Sequence, residues 1–328
     1  KLIDTPADTL ADSILYLRIY FLGIFGTLIF NIGSAIMRSI GDSRRPLYYL
    51  IICCFLNIIL DLVLVIVFDM GIVGAAIATI ISQAVSAILV TNALMKKYDD
   101  CKLYLSKLHI DLLKLRLEFR IGIPSALQAF MYSITNIIIQ AAINGFGTDT
   151  AAAWASFGKL DALFWTVNGA FGIAITTFAG QNYGAGKKDR IKSGYHISIR
   201  LLICWAALIT IAFVFFPRQI SVLFFHEEEV IQLSVDYLRI IGFSEIFLSV
   251  EMMTVGALSG LGRTQLCSLI SVGLTVIRIP LALVLSNTAL GLNGIWWALT
   301  LSTVSKGIIF YFVFQYICEH SLLRTTNR

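Results

Sequence analysis

The stretch CCFLNIILDLVLVIVFD, residues 53–69, is apolar at every position except Asn57, Asp61 and Asp69. With the LYYLII that precedes it, the run exceeds the roughly 20 apolar residues a helix needs to cross a bilayer. Asn57 and Asp61 stand four residues apart, one turn of helix, and so share a face. An ionised carboxylate at bilayer depth costs roughly 2.5–3.5 kcal/mol on insertion scales. A residue that costly is expected to serve function, with a packing hydrogen bond as the alternative.

Working outward, similar runs fill the chain. Of its 328 residues 58% are hydrophobic and 14% charged, against about half and a quarter in soluble domains. The fold class is therefore an all-α polytopic membrane protein. Nine spans are expected, near 16–40, 47–68, 72–95, 121–145, 150–179, 196–216, 237–259, 266–286 and 294–316. Basic connections (GDSRRP at 41–46, the lysines and arginines of 96–120, GKKDRIK at 186–192, GLGRT at 260–264) alternate with neutral or acidic ones, Arg218 being the exception. The positive-inside bias places the basic set in the cytoplasm. The net charge of +5 thus reports sidedness, and no nucleic-acid partner is implied. The six cysteines and four histidines lack metal or redox spacing, and HEEEV at 226–230 lacks the second histidine of a zinc-protease helix. No cofactor is expected. The glycines 180, 184 and 186 precede KKDR but lack the Gly, Lys and Ser/Thr order of a phosphate loop, so they read as helix-end and packing residues, as do Gly256 and Gly260.

The chain also repeats. YLRI occurs at 16–19 and 237–240, Gly41 matches Gly262, and Gly71, Gly74, Ala78 and Ser82 match Gly291, Gly294, Ala298 and Ser302, all at an offset of 220 or 221. Both copies run in one orientation, a parallel repeat of the kind transporters use. Three predicted helices precede the second YLRI and only fifteen residues precede the first. The expectation is a fragment whose parent carries three more helices at its N-terminus.

RSIGDSRRPLYYLI (38–51), GIVGAAIATIISQ (71–83), GIPSALQAF (122–130), FAGQNYGAGKKDR (178–190) and GALSGLGRTQ (256–265) together resemble the multidrug and toxic compound extrusion (MATE) family. That family has twelve helices in two six-helix lobes. The resemblance implies that residues 1–110 are the last three helices of the N-terminal lobe plus the connecting loop, and that 111–328 are a complete C-terminal lobe. It implies a secondary active antiporter in the plasma (inner) membrane, exchanging Na+ or H+ for organic cations or drugs by alternating access. A monomer in the bilayer is expected. Asn57 and Asp61 match an Asn–Asp pair that lines an N-lobe cation site, so Na+ is expected only there. Some members carry Glu and Asp at positions that are Tyr132 and Leu248 here, and the DinF-like branch, which uses the N-lobe, fits better. A lipid-linked oligosaccharide flippase of the same superfamily is the alternative.

Six further charges fall inside spans of the second half: Lys159, Asp161, Glu245, Glu251, Arg278 and Lys306. Three acids and three bases allow mutual neutralisation, with Arg278 and Lys306 as counter-charges. Glu251, Lys159, Asp161, Tyr132, Gln128 and Arg278 are the candidates for lining a substrate cavity. No histidine, HExxH or GxSxG accompanies them, so no enzyme is expected.

Overall fold

The computed structural model describes residues 7–98 and 102–322. Among them are twelve α-helices and no strand. The chain divides into two compact units, Lys1–Ile110 and Asp111–Arg328.

In the first unit, α1 (Ala7–Leu22) and α2 (Ile24–Ser39) meet at a bend of 48°. A side chain at Gly23 would lie 2.6 Å from Ile80 of α4 (Gly71–Lys96), so glycine lets the corner sit against that helix. Helix α3 (Arg44–Asp61) runs into a π-helical segment, Leu62–Val67, closed by bonds from Phe68 N to Val63 O and from Met70 N to Leu64 O, each 3.0 Å. Phe55, Ile58, Ile59, Ile66 and Val67 are exposed. Such a surface is costly in water and ordinary against lipid tails. At the α2–α3 turn Asp42 accepts a 2.6 Å bond from the Tyr98 hydroxyl and pairs with Arg45 at 2.9 Å.

The second unit holds α5 (Leu112–Asn144), α6 (Thr148–Gly184), α7 (Lys188–Phe215), α8 (Pro217–Phe224), α9 (Glu228–Gly242), α10 (Glu245–Gly260), α11 (Thr264–Ser286) and α12 (Leu292–Ile317). Asp111 caps α5 by accepting from the amides of Leu113 and Lys114. Its core holds one apolar cluster around Trp296, Tyr237 and Phe157, another around Tyr195, Met253 and Phe314, and a smaller one of Phe164, Ala206 and Leu248.

The segment expected as one span at 237–259 is instead the end of α9 and all of α10, bent by 51°. A break frees carbonyls. The Thr300 hydroxyl bonds to Ile240 O at 3.1 Å and the Thr210 hydroxyl to Gly242 O at 2.9 Å, so neighbouring helices satisfy them. The span expected at 16–40 is likewise broken, at Gly23. Among the described residues six unbroken helices and these two bent pairs are long and apolar enough to cross a membrane. The remaining expected segment, 150–179, lies within the 37-residue α6.

The repeat is visible in the backbone. Helices α2, α3 and α4 begin at Ile24, Arg44 and Gly71, and α10, α11 and α12 at Glu245, Thr264 and Leu292, an offset of 220 or 221 each time. Gly71 and Gly291 both turn with φ of +51°, a conformation open to glycine at no steric cost. A Cβ on Gly74 would lie 3.0 Å from the carbonyl carbon of Leu64, and one on Gly294 2.5 Å from that of Leu285. The matched glycines thus perform the same packing task in both copies.

Candidate functional site

The predicted pair Asn57 and Asp61 lies in the first unit, on the last two turns of α3. Both residues are half-buried. Asn57 Nδ2 and Asp61 Oδ1 are each shut off from solvent and have no hydrogen-bond partner. A 180° turn of the amide would present its oxygen instead. Asp61 is the last residue before the π-helical segment, and π turns inside helices occur often at functional sites. Thr27, Ser34 and Gln83 in the same unit also carry enclosed polar atoms without partners. Sequence reading passed over these three because a single Thr, Ser or Gln in an apolar run carries little signal.

The second unit encloses a cavity of about 800 Å³, walled by α5, α6, α9, α10, α11 and α12. Gln128, Tyr132, Asp161, Glu251 and Arg278, all cavity candidates from sequence, line it, as do Glu245 and Lys306. The side chain of Lys159 lies outside the described residues.

Among the described side chains of the cavity, one acid and one base form an ion pair. Lys306 pairs with Glu251 at 3.7 Å, both side chains nearly buried. Asp161 instead accepts a 2.6 Å bond from the Tyr237 hydroxyl, and Glu245 keeps a buried carboxylate oxygen without a partner. Arg278, expected as a counter-charge, has no acid within ion-pair distance among the described residues. Its bond is a 3.5 Å contact to the Thr303 hydroxyl, and its Nε is buried without an acceptor. Tyr237 escaped the sequence reading, although it opens the second YLRI. It is fully buried, stacked on Phe157 with ring centres 4.6 Å apart and set edge-on to Trp296 at 5.1 Å. Tyr132 and Trp165 stand 5.9 Å apart on the cavity wall, and the Ser268 hydroxyl approaches Gln128 Oε1 at 3.4 Å. The cavity thus offers aromatic faces and, among the described residues, two carboxyl groups with no cation and one guanidinium with no acid within ion-pair distance.

Comparison with known proteins gives a consistent picture. The MatE family model matches residues 1–63 and 124–284. The chain is 26% identical to the probable multidrug resistance protein YoeA of Bacillus subtilis, over 97% of this chain and 70% of that protein. It is 28% identical to the probable multidrug resistance protein NorM of Thermotoga maritima, over 86% of this chain and 62% of that protein. A crystal structure of a MATE protein in the bent conformation superposes with a TM-score of 0.91 at 22% identity, covering 99% of this chain and 73% of that one.

Proposed function

Because the chain belongs to the MatE family of multi-pass membrane transporters, and not to a family of enzymes, we propose that it serves an ion-driven exporter of drugs and organic cations. Residues 1–110 correspond in this reading to the end of one lobe and 111–328 to the other. The pair Asn57 and Asp61 holds the coupling ion, Na+ or H+, in the first unit. A carboxylate with an amide oxygen suits a hard cation, and the carboxylate alone suits a proton. The cavity of the second unit contributes to holding the drug, its aromatic walls stacking on a delocalised cation. Coupling requires that ion and drug favour different states of an alternating-access cycle in the cell membrane. The multidrug-resistance names of the relatives support the substrate class.

The observation that carries this reading is the enclosed, partnerless carboxylate oxygen of Asp61 beside the partnerless amide of Asn57, in the most apolar stretch of the chain. Leaving buried polar atoms unpaired is costly, and a bound cation or proton would remove the cost. The test is ethidium efflux from vesicles under imposed gradients. Efflux that responds to a Na+ or a pH gradient and stops when that gradient is collapsed supports the reading. Efflux indifferent to both gradients overturns it.

A further inference from the structure

Arg278 is the one cation of the cavity lining that ion pairing and firm hydrogen bonding leave aside among the described residues. It is only 6% exposed, yet it lines the cavity. Its guanidinium stays charged at any biological pH and presents five donors in a rigid planar fork. One terminal nitrogen makes the 3.5 Å contact to Thr303, and Nε has no acceptor. Glu251, the acid that could have answered it, is held by Lys306. Two desolvated cations that share this one acid leave a positive charge uncompensated, which is costly unless something else supplies an anion. The group that matches a guanidinium fork is a carboxylate or a phosphate oxygen pair.

The other walls have different chemistry. Asp161 and Glu245 supply carboxyl groups with no base in ion-pair distance among the described residues, and Tyr132 and Trp165 supply aromatic faces. Within the repeat, Arg278 stands 221 residues after Asn57, the offset that relates the two YLRI copies. On α3 this register carries an amide next to an acid, whereas on α11 it carries a fixed positive charge.

We propose that Arg278 is an anion-binding specificity residue, and that the second unit's cavity takes amphoteric aromatic compounds, seating their carboxylate on the guanidinium and their cationic part toward Asp161 and Glu245. This rests on the reading that the cavity holds the solute. It narrows that solute from any organic cation to one that also bears an anionic group.

The test uses two dyes that share a cationic xanthene ring system. Rhodamine 110 carries a free carboxylate, and rhodamine 123 carries its methyl ester. Binding is read by fluorescence polarisation to the protein in lipid nanodiscs, without any ion gradient. The wild-type protein binds rhodamine 110 about tenfold or more tightly than rhodamine 123, the scale of a charge-assisted hydrogen-bond pair. Arg278→Gln erases the preference by weakening rhodamine 110 and not rhodamine 123, whose cationic ring gains when a like charge leaves the cavity. Arg278→Lys, which keeps the charge and loses the fork, retains part of it. In the wild type, 4-methylbenzoate displaces rhodamine 110 more readily than rhodamine 123. Should Arg278→Gln fail to fold, Arg278→Lys and this competition decide the matter. Equal wild-type affinities, or parallel loss of both dyes in a variant of unchanged melting temperature, overturn the proposal. Gradient-independent efflux combined with intact rhodamine 110 selectivity would remove the ion-coupling reading and leave this site standing.

Discussion

A Cβ added to Gly256 of α10 would lie 2.6 Å from the carbonyl oxygen of Gly172 on α6, and the Thr176 hydroxyl of α6 bonds to the carbonyl of Gly256 at 2.9 Å. Gly260, one turn on, faces the backbone of Thr176 and Gly180 in the same way. Small residues at membrane helix contacts let backbones approach closely, which strengthens dispersion and hydrogen bonding where lipid supplies no hydrophobic drive. Gly256→Ala should therefore cost about 1–3 kcal/mol, the range for overpacking. Gly273→Ala, on α11 with open space around it, should be neutral or slightly stabilising. Thermal melting of the purified protein compares the two, and equal melting temperatures would show that the close contact is not needed.

The partly buried bond from Tyr237 to Asp161 invites a double-mutant cycle. Tyr237→Phe keeps the aromatic packing and removes the donor, leaving a carboxyl with no partner, at a cost of about 1–3 kcal/mol. In the Asp161→Asn background the same substitution should cost less, with a coupling of about 0.5–3 kcal/mol. Additive effects would mean that the bond contributes nothing.

Asp42 lies in the turn between α2 and α3, outside the apolar spans. Burial pushes its carboxyl up, but the Tyr98 hydroxyl, the Arg45 amide and the Arg45 charge outweigh this and hold it below the usual 3.8. A depressed carboxyl favours the folded state above its unfolded value, and that contribution fades as pH falls below it. The stability advantage of wild type over Tyr98→Phe should thus be present at about pH 5 and shrink as pH falls below 3.8. A constant advantage across that range would contradict the assignment.

In the second unit, α7 separates Lys187 from Glu228, and α11 separates Arg263 from Thr288. Single cysteines at Lys187 and Arg263 should be labelled from one side of the membrane, and those at Glu228 and Thr288 from the other. Arg218, the basic exception on the acidic side, is bonded to Glu228 at 2.8 and 3.1 Å, which blunts its pull on orientation. Labelling of Lys187 and Glu228 from the same face would refute the topology of this unit.

Why some of this was legible in the residues and some was not follows from the kind of signal each feature leaves. Membrane spans must be apolar for about 20 residues, so α3, α4, α7, α11 and α12 announce themselves. Paired glycines at 41 and 262 or 71 and 291 mark the repeat because a positive φ tolerates little else. The bends after Leu22 and Gly242 were missed. Those near Gly242 leave no local trace, since the carbonyls freed there are satisfied by Thr210 and Thr300, which are distant in sequence. Pairing in the cavity leaves no local trace either. Counting acids and bases cannot show that Lys306 reaches Glu251 while Asp161 turns to a tyrosine hydroxyl. Asn57 and Asp61, by contrast, stand out by spacing alone as the proposed ion site, because an acid in the middle of such an apolar run is costly.

The most direct test of the account is the transport cost of Asp61→Asn. The substitution keeps shape and hydrogen-bonding capacity and removes the charge that would hold Na+ or accept a proton. If the carboxylate couples the ion to export, the variant inserts and binds ethidium like wild type, but gradient-driven efflux collapses because the ion no longer favours one state. A residue that only glues helices together would lose little, since intramembrane hydrogen bonds average about 0.6 kcal/mol. The measurement is ethidium efflux under an imposed ion gradient, with expression matched by membrane blot. The account predicts near-background efflux from Asp61→Asn, and wild-type efflux from that variant would contradict it.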